Sequence, residues 1–314
     1  MPHQSKASSW RPNVCLETLQ KRAAVLAAIR QYFQQQHVLE VETPYLAKFG
    51  VTDPAIENFK VATTFGEKYL QSSPEYHMKR LLADGSGDIY QIARVFREGE
   101  LGAKHQPEFT LLEWYRLGFS HLNLIEDVVR LLETISGFQL EHETKTYSEL
   151  FLTYLNIDPL QSTCEQLQSI AELKGIHLNS TNLTKDGWLD LLLSHCIEPK
   201  LGQDGLCFVV DYPVSQAALA QVSQENPLVA HRFELYWQGI ELANGYDELT
   251  DANELRRRFE RDASGLDIDE YVMSAQESGL PSCAGVALGL DRLLMILFAE
   301  KTIDQVMAFS ANNA

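Results

Sequence analysis

The chain has 314 residues, of which 45% are hydrophobic and 22% charged. This composition supports a substantial core, and the length predicts one large domain or one domain with an insertion. No run approaches the ~20 apolar residues of a membrane span, and residues 1–12 lack the apolar segment of a signal peptide, so we expect a cytoplasmic protein without membrane contact.

Cysteine usage and net charge narrow the possible sites and partners. The five cysteines are scattered and form no Cys-x-x-Cys pair, so neither a disulfide framework nor a zinc site is expected. The formal net charge is −17, which mildly favours a basic protein partner over a nucleic acid.

The first quarter of the chain predicts a tail, a helix, a strand and a second helix. Residues 1–14 are expected to form a disordered tail. Apolar residues at helical spacing then predict a helix over residues 16–36. A strand over residues 38–44 ends at a proline, and Pro74 is typical of the first turn of a further helix.

The next two segments predict an antiparallel hairpin with a long loop. Residues 89–97 and 109–116 are rich in β-prone side chains, and a glycine-containing link joins them. Arg97 ends the first strand, and its planar guanidinium suits a phosphate that gains charge in a transition state. Phe109 offers a ring on which a purine can stack. Taken alone, the segment is also typical of an amphipathic hairpin with a solvated arginine.

Residues 120–205 are predicted to be mostly helical, at about 121–135, 163–174 and 186–196. They carry no recognisable chemistry, so we interpret them as an insertion that covers one side of the sheet.

A second hairpin is predicted around the turn Gln238-Gly239. With this turn Tyr236 lies opposite Glu241, and Glu234 shares the face of Tyr236. The two carboxylates then occupy diagonal positions roughly 7–8 Å apart. They repel unless a cation lies between them, and hard oxygen ligands suit Mg²⁺ bound together with nucleotide phosphates. Solvated surface glutamates are the alternative.

The last elements are a charged helix and a strand followed by a helix. The helix begins near Asn253 and carries Arg256-Arg257-Arg258, which is interpreted as a solvated face. Further on, Gly285 and Gly289 bracket a short strand. Asp291 is expected to cap a helix that begins at Arg292, close to the positive end of the helix dipole. This suits a polyphosphate, although an ordinary strand–helix corner has the same pattern.

In this order the segments resemble the three motifs of the class II aminoacyl-tRNA synthetases. Residues 41–44 resemble motif 1, the hairpin at Arg97 motif 2, and residues 285–292 motif 3. From about residue 15 the chain is similar to the catalytic domain of class IIb lysyl-tRNA synthetases. The resemblance implies an α+β fold, an antiparallel β-sheet flanked by helices, and a homodimer formed through motif 1.

The resemblance also implies ligands and the residues that hold them. ATP and Mg²⁺ would be the cofactors, and Arg97 and Arg292 the catalytic residues. The implied ATP-binding residues are Arg97, Glu98, Gly99, Glu100, His105, Gln106, Phe109, Glu241, Leu242, Asn244, Gly289 and Arg292. Glu234 and Glu241 would bind Mg²⁺. The implied substrate-binding residues are Ser73, Pro74, Glu75, Glu113, Tyr115, Glu248 and Ala287, whose acids and phenol suit a lysine-like ammonium.

Three departures separate the chain from the lysyl-tRNA synthetases. The resemblance to the catalytic domain begins within the first fifteen residues, so we expect the amino-terminal anticodon-binding domain to be missing. Gly99 stands where motif 2 has an acid, with Glu98 and Glu100 beside it. Ala287 replaces a glycine, and one extra methyl in a substrate pocket contributes roughly 1–3 kcal/mol of discrimination.

These departures match truncated synthetase paralogues that attach (R)-β-lysine to a lysine side chain of elongation factor P. We therefore expect an aminoacyl-adenylate ligase with elongation factor P as acceptor and no tRNA substrate. One alternative is a minimal lysyl-tRNA synthetase that uses the same site. The other is a non-catalytic regulatory paralogue, which the retained phosphate-binding residues disfavour.

Overall fold

The computed structural model describes residues 10–178, 183–263 and 265–314. The greater part of the predicted tail, residues 1–9, lies outside this range. Asn13 donates its backbone N–H to the Ala308 carbonyl at 2.8 Å, and its side chain contacts Ser310. No helix of the described residues is long and apolar enough to cross a membrane.

The strands and helices alternate irregularly along the chain. The strands are β1 (Leu39–Glu40), β2 (Leu46–Ala47), β3 (Lys60–Thr63), β4 (Gly66–Leu70), β5 (Ile89–Phe96), β6 (Glu108–Leu117), β7 (His142–Thr146), β8 (Leu206–Pro213), β9 (Val229–Trp237), β10 (Ile240–Asp247) and β11 (Cys283–Gly289). The α-helices are α1 (Leu16–Gln35), α2 (Glu75–Ala83), α3 (His121–Ser136), α4 (Tyr147–Leu155), α5 (Cys164–Leu173), α6 (Lys185–Leu192), α7 (Ala252–Asp262), α8 (Glu270–Gly279) and α9 (Leu290–Leu297).

One large sheet organises the molecule. Its eight strands lie in the order β1-β5-β6-β11-β10-β9-β8-β7, and β2, β4 and β3 form a separate small sheet. The pairs β1–β5 and β7–β8 are parallel, while the other neighbours in the large sheet are antiparallel. The predicted antiparallel sheet flanked by helices is confirmed.

Alternation along the central strands gives this part of the sheet one apolar and one polar face. Trp114, Val286 and Phe233 point to the side where α1, α3 and α9 pack, and they belong to the main core. The residues next to them in sequence, among them Glu113 and Glu234, point to the opposite side. Helices α1, α3 and α9 therefore bury one face of the sheet, and over the central strands the opposite face is left for polar chemistry.

The helices of the segment predicted as one insertion belong to two different cores. The helices predicted near 121–135, 163–174 and 186–196 correspond to α3, α5 and α6. Only α3 belongs to the main core, because α4, α5 and α6 form a second core with β8. Strand β7 was not predicted, since its exposed sequence His-Glu-Thr-Lys-Thr has no apolar alternation. It forms the edge of the large sheet beside β8.

A β-bulge interrupts the pairing of β9 with β10. The predicted turn at Gln238-Gly239 and the pairing of Glu241 with Tyr236 are confirmed. After Glu241, however, the register shifts by one residue, so that Asn244 rather than Ala243 lies opposite Glu234. The extra residue was not predicted, and it turns Asn244 to the same side of the sheet as Glu241.

Three predictions near the ends of elements are corrected. The strand expected over residues 38–44 is only two residues long, because the chain leaves the sheet after Val41 bonds to the Tyr90 carbonyl. Helix α9 begins at Leu290, and Asp291 does not cap it. Asp291 instead accepts hydrogen bonds from Arg22 Nη1 and the Thr110 backbone N–H, both at 2.6 Å.

The prediction that the three arginines of α7 lie on a solvated face is wrong at one position. Arg256 and Arg257 form ion pairs with Glu270 and Glu254 at the surface. Arg258 is buried, and its guanidinium donates to the carbonyls of Ala218 and Ala220.

Candidate active site

A cavity of about 380 Å³ lies on the polar face of the large sheet. Strands β6, β9, β10 and β11, the start of α2, the first turn of α9, residues 53–56 and the loop between β5 and β6 form its walls. The predicted site residues that line it are Ser73, Glu75, Arg97, Glu100, His105, Gln106, Phe109, Glu113, Tyr115, Glu234, Glu241, Leu242, Asn244, Glu248, Ala287, Gly289 and Arg292.

Pro74, Glu98 and Gly99 are predicted site residues that are not among the described lining residues. Pro74 precedes the first turn of α2, so it orients Glu75. Gly99 has a φ of +79°, which places it in the left-handed region that favours glycine. Of the two acids beside Gly99, Glu100 lines the cavity and lies 3.6 Å from Arg97 Nη1.

One end of the cavity is cationic and aromatic. The Arg97 guanidinium lies over the Phe109 ring, with its central carbon 5.1 Å from the ring centroid. Arg97 Nε also lies 3.4 Å from the Ser72 carbonyl oxygen, which fixes the plane of the guanidinium. This arrangement presents a fork of N–H donors beside a ring on which a base can stack.

Arg292 closes the same end from α9. Its Nη1 donates to the Glu241 carbonyl at 3.0 Å, and its Nη2 lies 2.5 Å from His105 Nε2. Burial and the neighbouring Arg292 charge lower the pKa of His105, so its imidazole is neutral at physiological pH. Gln106 lines the cavity, but Asp304 and the Ala311 backbone N–H hold its amide.

The paired carboxylates Glu234 and Glu241 have cationic partners in the protein itself. Arg232 Nη2 lies 2.5 Å from Glu234 Oε1, and Tyr212 and Tyr236 donate to Glu234 Oε2 at 2.6 Å. The expectation that the two acids need a cation between them overlooked Arg232. Its position two residues before Glu234, on the same face of the strand, was the available signal.

Glu241 is less well compensated than Glu234. Its Oε2 atom is 3.3 Å from Arg292 Nη1, a long contact for an ion pair. Burial and the nearby Glu234 carboxylate raise the pKa of Glu241. A divalent cation bound by Glu234 and Glu241 would reverse this effect, so these donors fit Mg²⁺.

The other end of the cavity is a buried anionic pocket. Glu113 accepts hydrogen bonds from Tyr115 Oη at 2.7 Å and Ser73 Oγ at 2.8 Å. Burial and the nearby Glu75 carboxylate raise the pKa of Glu113 to about 8. Burial likewise raises the pKa of Glu248 to about 7, although Lys79 opposes the shift. Such a pocket gains free energy when an ammonium group enters.

Two residues of this pocket were missed by the sequence analysis. Lys79 lies 2.6 Å from Glu248 Oε2, and its spacing of four residues from Glu75 on a helix was the available signal. Gly285 packs directly against the pocket. A Cβ atom at Gly285 would lie 2.3 Å from the Tyr115 ring and 2.5 Å from Glu248 Oε1, so no side chain fits there.

We predict that Glu113 makes protein stability depend on pH. Its pKa of about 8 lies above the ordinary glutamate value, so between these two values the folded state holds a proton that the unfolded state has lost. Stability contributed by this proton is present at acidic pH and is lost as pH rises through about 8. The free energy of unfolding can be measured by urea denaturation at pH 6 and pH 8.5. Between these two pH values it should fall less for Glu113→Gln than for the wild type. The exposed Glu260→Gln variant is the control and should behave as the wild type does.

Comparison with known proteins agrees with this geometry. The family model described as tRNA synthetases class II (D, K and N) matches residues 3–313. The elongation factor P–(R)-β-lysine ligase of Mannheimia succiniciproducens is 46% identical over 321 residues, covering 98% of each protein. The ligase of the same name from Photorhabdus laumondii subsp. laumondii is 44% identical over 325 residues, covering 99% of this chain and 100% of that protein. The chain therefore belongs to the class II tRNA synthetase family, among the elongation factor P–(R)-β-lysine ligases.

Proposed function

We propose that the protein activates (R)-β-lysine with ATP and transfers it to the ε-amino group of a lysine on elongation factor P. The observation that carries this proposal is one continuous cavity with an arginine end and a carboxylate end. An amino acid with two ammonium groups fits the carboxylate end, and a nucleotide fits the other. The names of the full-length relatives support the same substrate and acceptor.

The first step forms an aminoacyl-adenylate. The substrate carboxylate attacks the α-phosphorus of ATP in line, the bond to the β-phosphate oxygen breaks, and diphosphate leaves. Arg97 and Arg292 stabilise the negative charge that develops on the phosphate oxygens. Mg²⁺ held by Glu234 and Glu241 would neutralise the phosphates and orient them.

The second step transfers the aminoacyl group. The neutral ε-amine of the acceptor lysine attacks the carbonyl carbon of the mixed anhydride, loses a proton and displaces AMP. No protein nucleophile is required, because the adenylate is already activated. The contribution of the chain is to orient the reactants and exclude water.

The exchange of ATP with diphosphate, followed by transfer assays, tests this function. We expect amino-acid-dependent exchange with (R)-β-lysine well above that with α-lysine, and transfer to elongation factor P but not to tRNA. Equal activation of α-lysine together with charging of tRNA would instead identify a minimal lysyl-tRNA synthetase. Absence of exchange with any amino acid would identify a regulatory paralogue.

Arg97 and Glu241 are predicted to be required for adenylate formation. We expect Arg97→Ala and Glu241→Ala each to lower the exchange rate about 100-fold or more, the usual effect of removing charge stabilisation from a transition state. Arg94→Ala is the matched control, because Arg94 lies on β5 three residues before Arg97 but does not line the cavity.

Binding of Mn²⁺, followed by electron paramagnetic resonance, separates the two variants. Only Glu241→Ala should weaken metal binding in the presence of ATP. Unchanged binding in that variant would disprove the assignment of Glu241 as a metal ligand.

Ala287 is predicted to favour the β-amino acid over α-lysine. It lies on β11 directly opposite Glu113, so its methyl group occupies space beside the substrate. Ala287→Gly should shift the ratio of kcat/KM values about tenfold towards α-lysine. An unchanged ratio would show that Ala287 does not determine selectivity.

We also propose a homodimer formed through the edge strand β1 and the segment after it. Apolar side chains are exposed there, with Leu39 55% and Leu46 44% accessible in the single chain. Leu39→Lys should shift the mass measured by light scattering from dimer to monomer. Leu122→Lys on α3 is the control, because Leu122 has a similar exposure of 54%. A monomeric wild type would disprove the proposed dimer.

A further inference from the structure

A lysine ammonium is buried against two glutamates of the anionic pocket. Lys79 lies near the middle of α2, and only 4% of it is exposed. Its Nζ atom is 2.7 Å from Glu75 Oε1 and 2.6 Å from Glu248 Oε2. Because an unpaired ammonium in such surroundings would be strongly destabilising, both contacts are needed to keep it there.

The ammonium stays charged in this position. Burial by itself lowers the pKa of Lys79, but the carboxylates of Glu248 and Glu75 outweigh that effect and raise it above the ordinary lysine value. Lys79 therefore connects one turn of α2 to the end of β10 through two charged contacts. Met78 and Leu82, its neighbours on the helix, pack against Tyr115 and hold α2 in place.

Lys79 also determines how much negative charge is left for a ligand. Glu75, Glu113 and Glu248 bring three carboxyl groups into the pocket, and Lys79 can neutralise one of them. When a ligand ammonium displaces the proton of Glu113, all three carboxyl groups are ionised and two negative charges stay uncompensated. A diamino acid carries two ammonium groups, so its charge matches what the pocket leaves free.

The other titratable groups near this cluster come from several elements. They are Asp53 in the loop before β3, Tyr76 on α2, Tyr115 on β6, Tyr246 and Asp247 on β10, and Cys283 on β11. None of them contributes a cation. Arg232 on β9, which also lines the cavity, is paired with Glu234, so Lys79 is the cation that contacts Glu75 and Glu248 within the described residues.

We propose that Lys79 is a positioning residue for substrate recognition: its ammonium bridges the carboxyl groups of Glu75 and Glu248, offsets one negative charge of the pocket, and so selects ligands with two ammonium groups. The inference rests on the proposed function, because it concerns the amino-acid half of the same site. Lys79 acts through the two glutamates and does not itself need to touch the substrate.

Removal of the charge has a specific consequence. Without Lys79, the buried carboxyl group of Glu248 loses the charge that opposes its raised pKa, so it binds a proton at neutral pH. The substrate ammonium must then displace that proton. Binding is weakened most at low pH and recovers as pH rises.

The experiment compares Lys79→Met with the wild type in ATP–diphosphate exchange between pH 6.5 and 9. We expect the KM for (R)-β-lysine to rise about tenfold or more at pH 7, the loss typical of removing one member of a buried charge pair. The kcat should stay within about threefold of the wild-type value. The pH range over which KM falls should lie about one pH unit higher than in the wild type. Lys79→Arg should restore most of the affinity and the original pH profile.

Lys21→Met is the matched control. Lys21 pairs with Glu17 at 2.7 Å and with the same spacing of four residues, but on an exposed surface. It should leave KM, kcat and the pH profile unchanged. If Lys79→Met does not fold, Lys79→Gln takes its place with the same expected outcomes, because it also removes the charge.

The results distinguish this inference from the proposed function. If the wild type activates no amino acid, the proposed function itself is wrong. If the wild type is active and Lys79→Met has the wild-type KM and pH profile, only the role of Lys79 is disproved. A fall in kcat with an unchanged KM would also disprove it, since it would indicate a general structural effect.

Discussion

Carboxylates that are buried on one face of a sheet each need a partner, because an ionised acid removed from water is strongly destabilising without one. The structure supplies these partners from distant parts of the chain. Asp291 forms an ion pair with Arg22 of the first helix, and Glu248 forms one with Lys79 of the second. The fold and the site are thus coupled, since losing one of these cations leaves a charge uncompensated inside the protein.

The two ends of the cavity differ in how their buried charges are compensated. At the nucleotide end, Arg97 and Arg292 contact carbonyl and carboxylate oxygens of the protein, so donors for a phosphate are already oriented. At the amino-acid end the carboxyl groups outnumber the cations, and burial keeps the pKa of Glu113 near 8. With the proposed function, a cationic amino acid and an anionic nucleotide would therefore bind in a defined direction along one cavity.

The sequence predicted what depends on neighbouring residues. The hairpin that carries Arg97, the turn at Gln238-Gly239 and the pairing of Glu241 with Tyr236 follow from local propensities and the two-residue period of a strand. The order of the motifs then identified the family, because few folds place these residues in this succession.

Long-range contacts could not be predicted in the same way. Nothing local indicates that Asp291 bonds to Arg22 rather than capping its own helix, since the two residues are 269 positions apart. Strand β7 has no apolar alternation and depends on β8 for its pairing. The requirement for a bare backbone at Gly285 becomes visible only when the Tyr115 ring is seen against it.

The bulge in β10 has a consequence for how this strand can change over time. Glu241 lies before the extra residue, while Asn244 and Glu248 lie after it, and all three line the same cavity. Loss of a single codon between Glu241 and Asn244 would restore regular pairing and turn both later residues towards the helix-covered side. Substitutions in this strand would alter the enzyme by degrees, whereas a one-residue deletion would disrupt the arginine end and the carboxylate end of the cavity together.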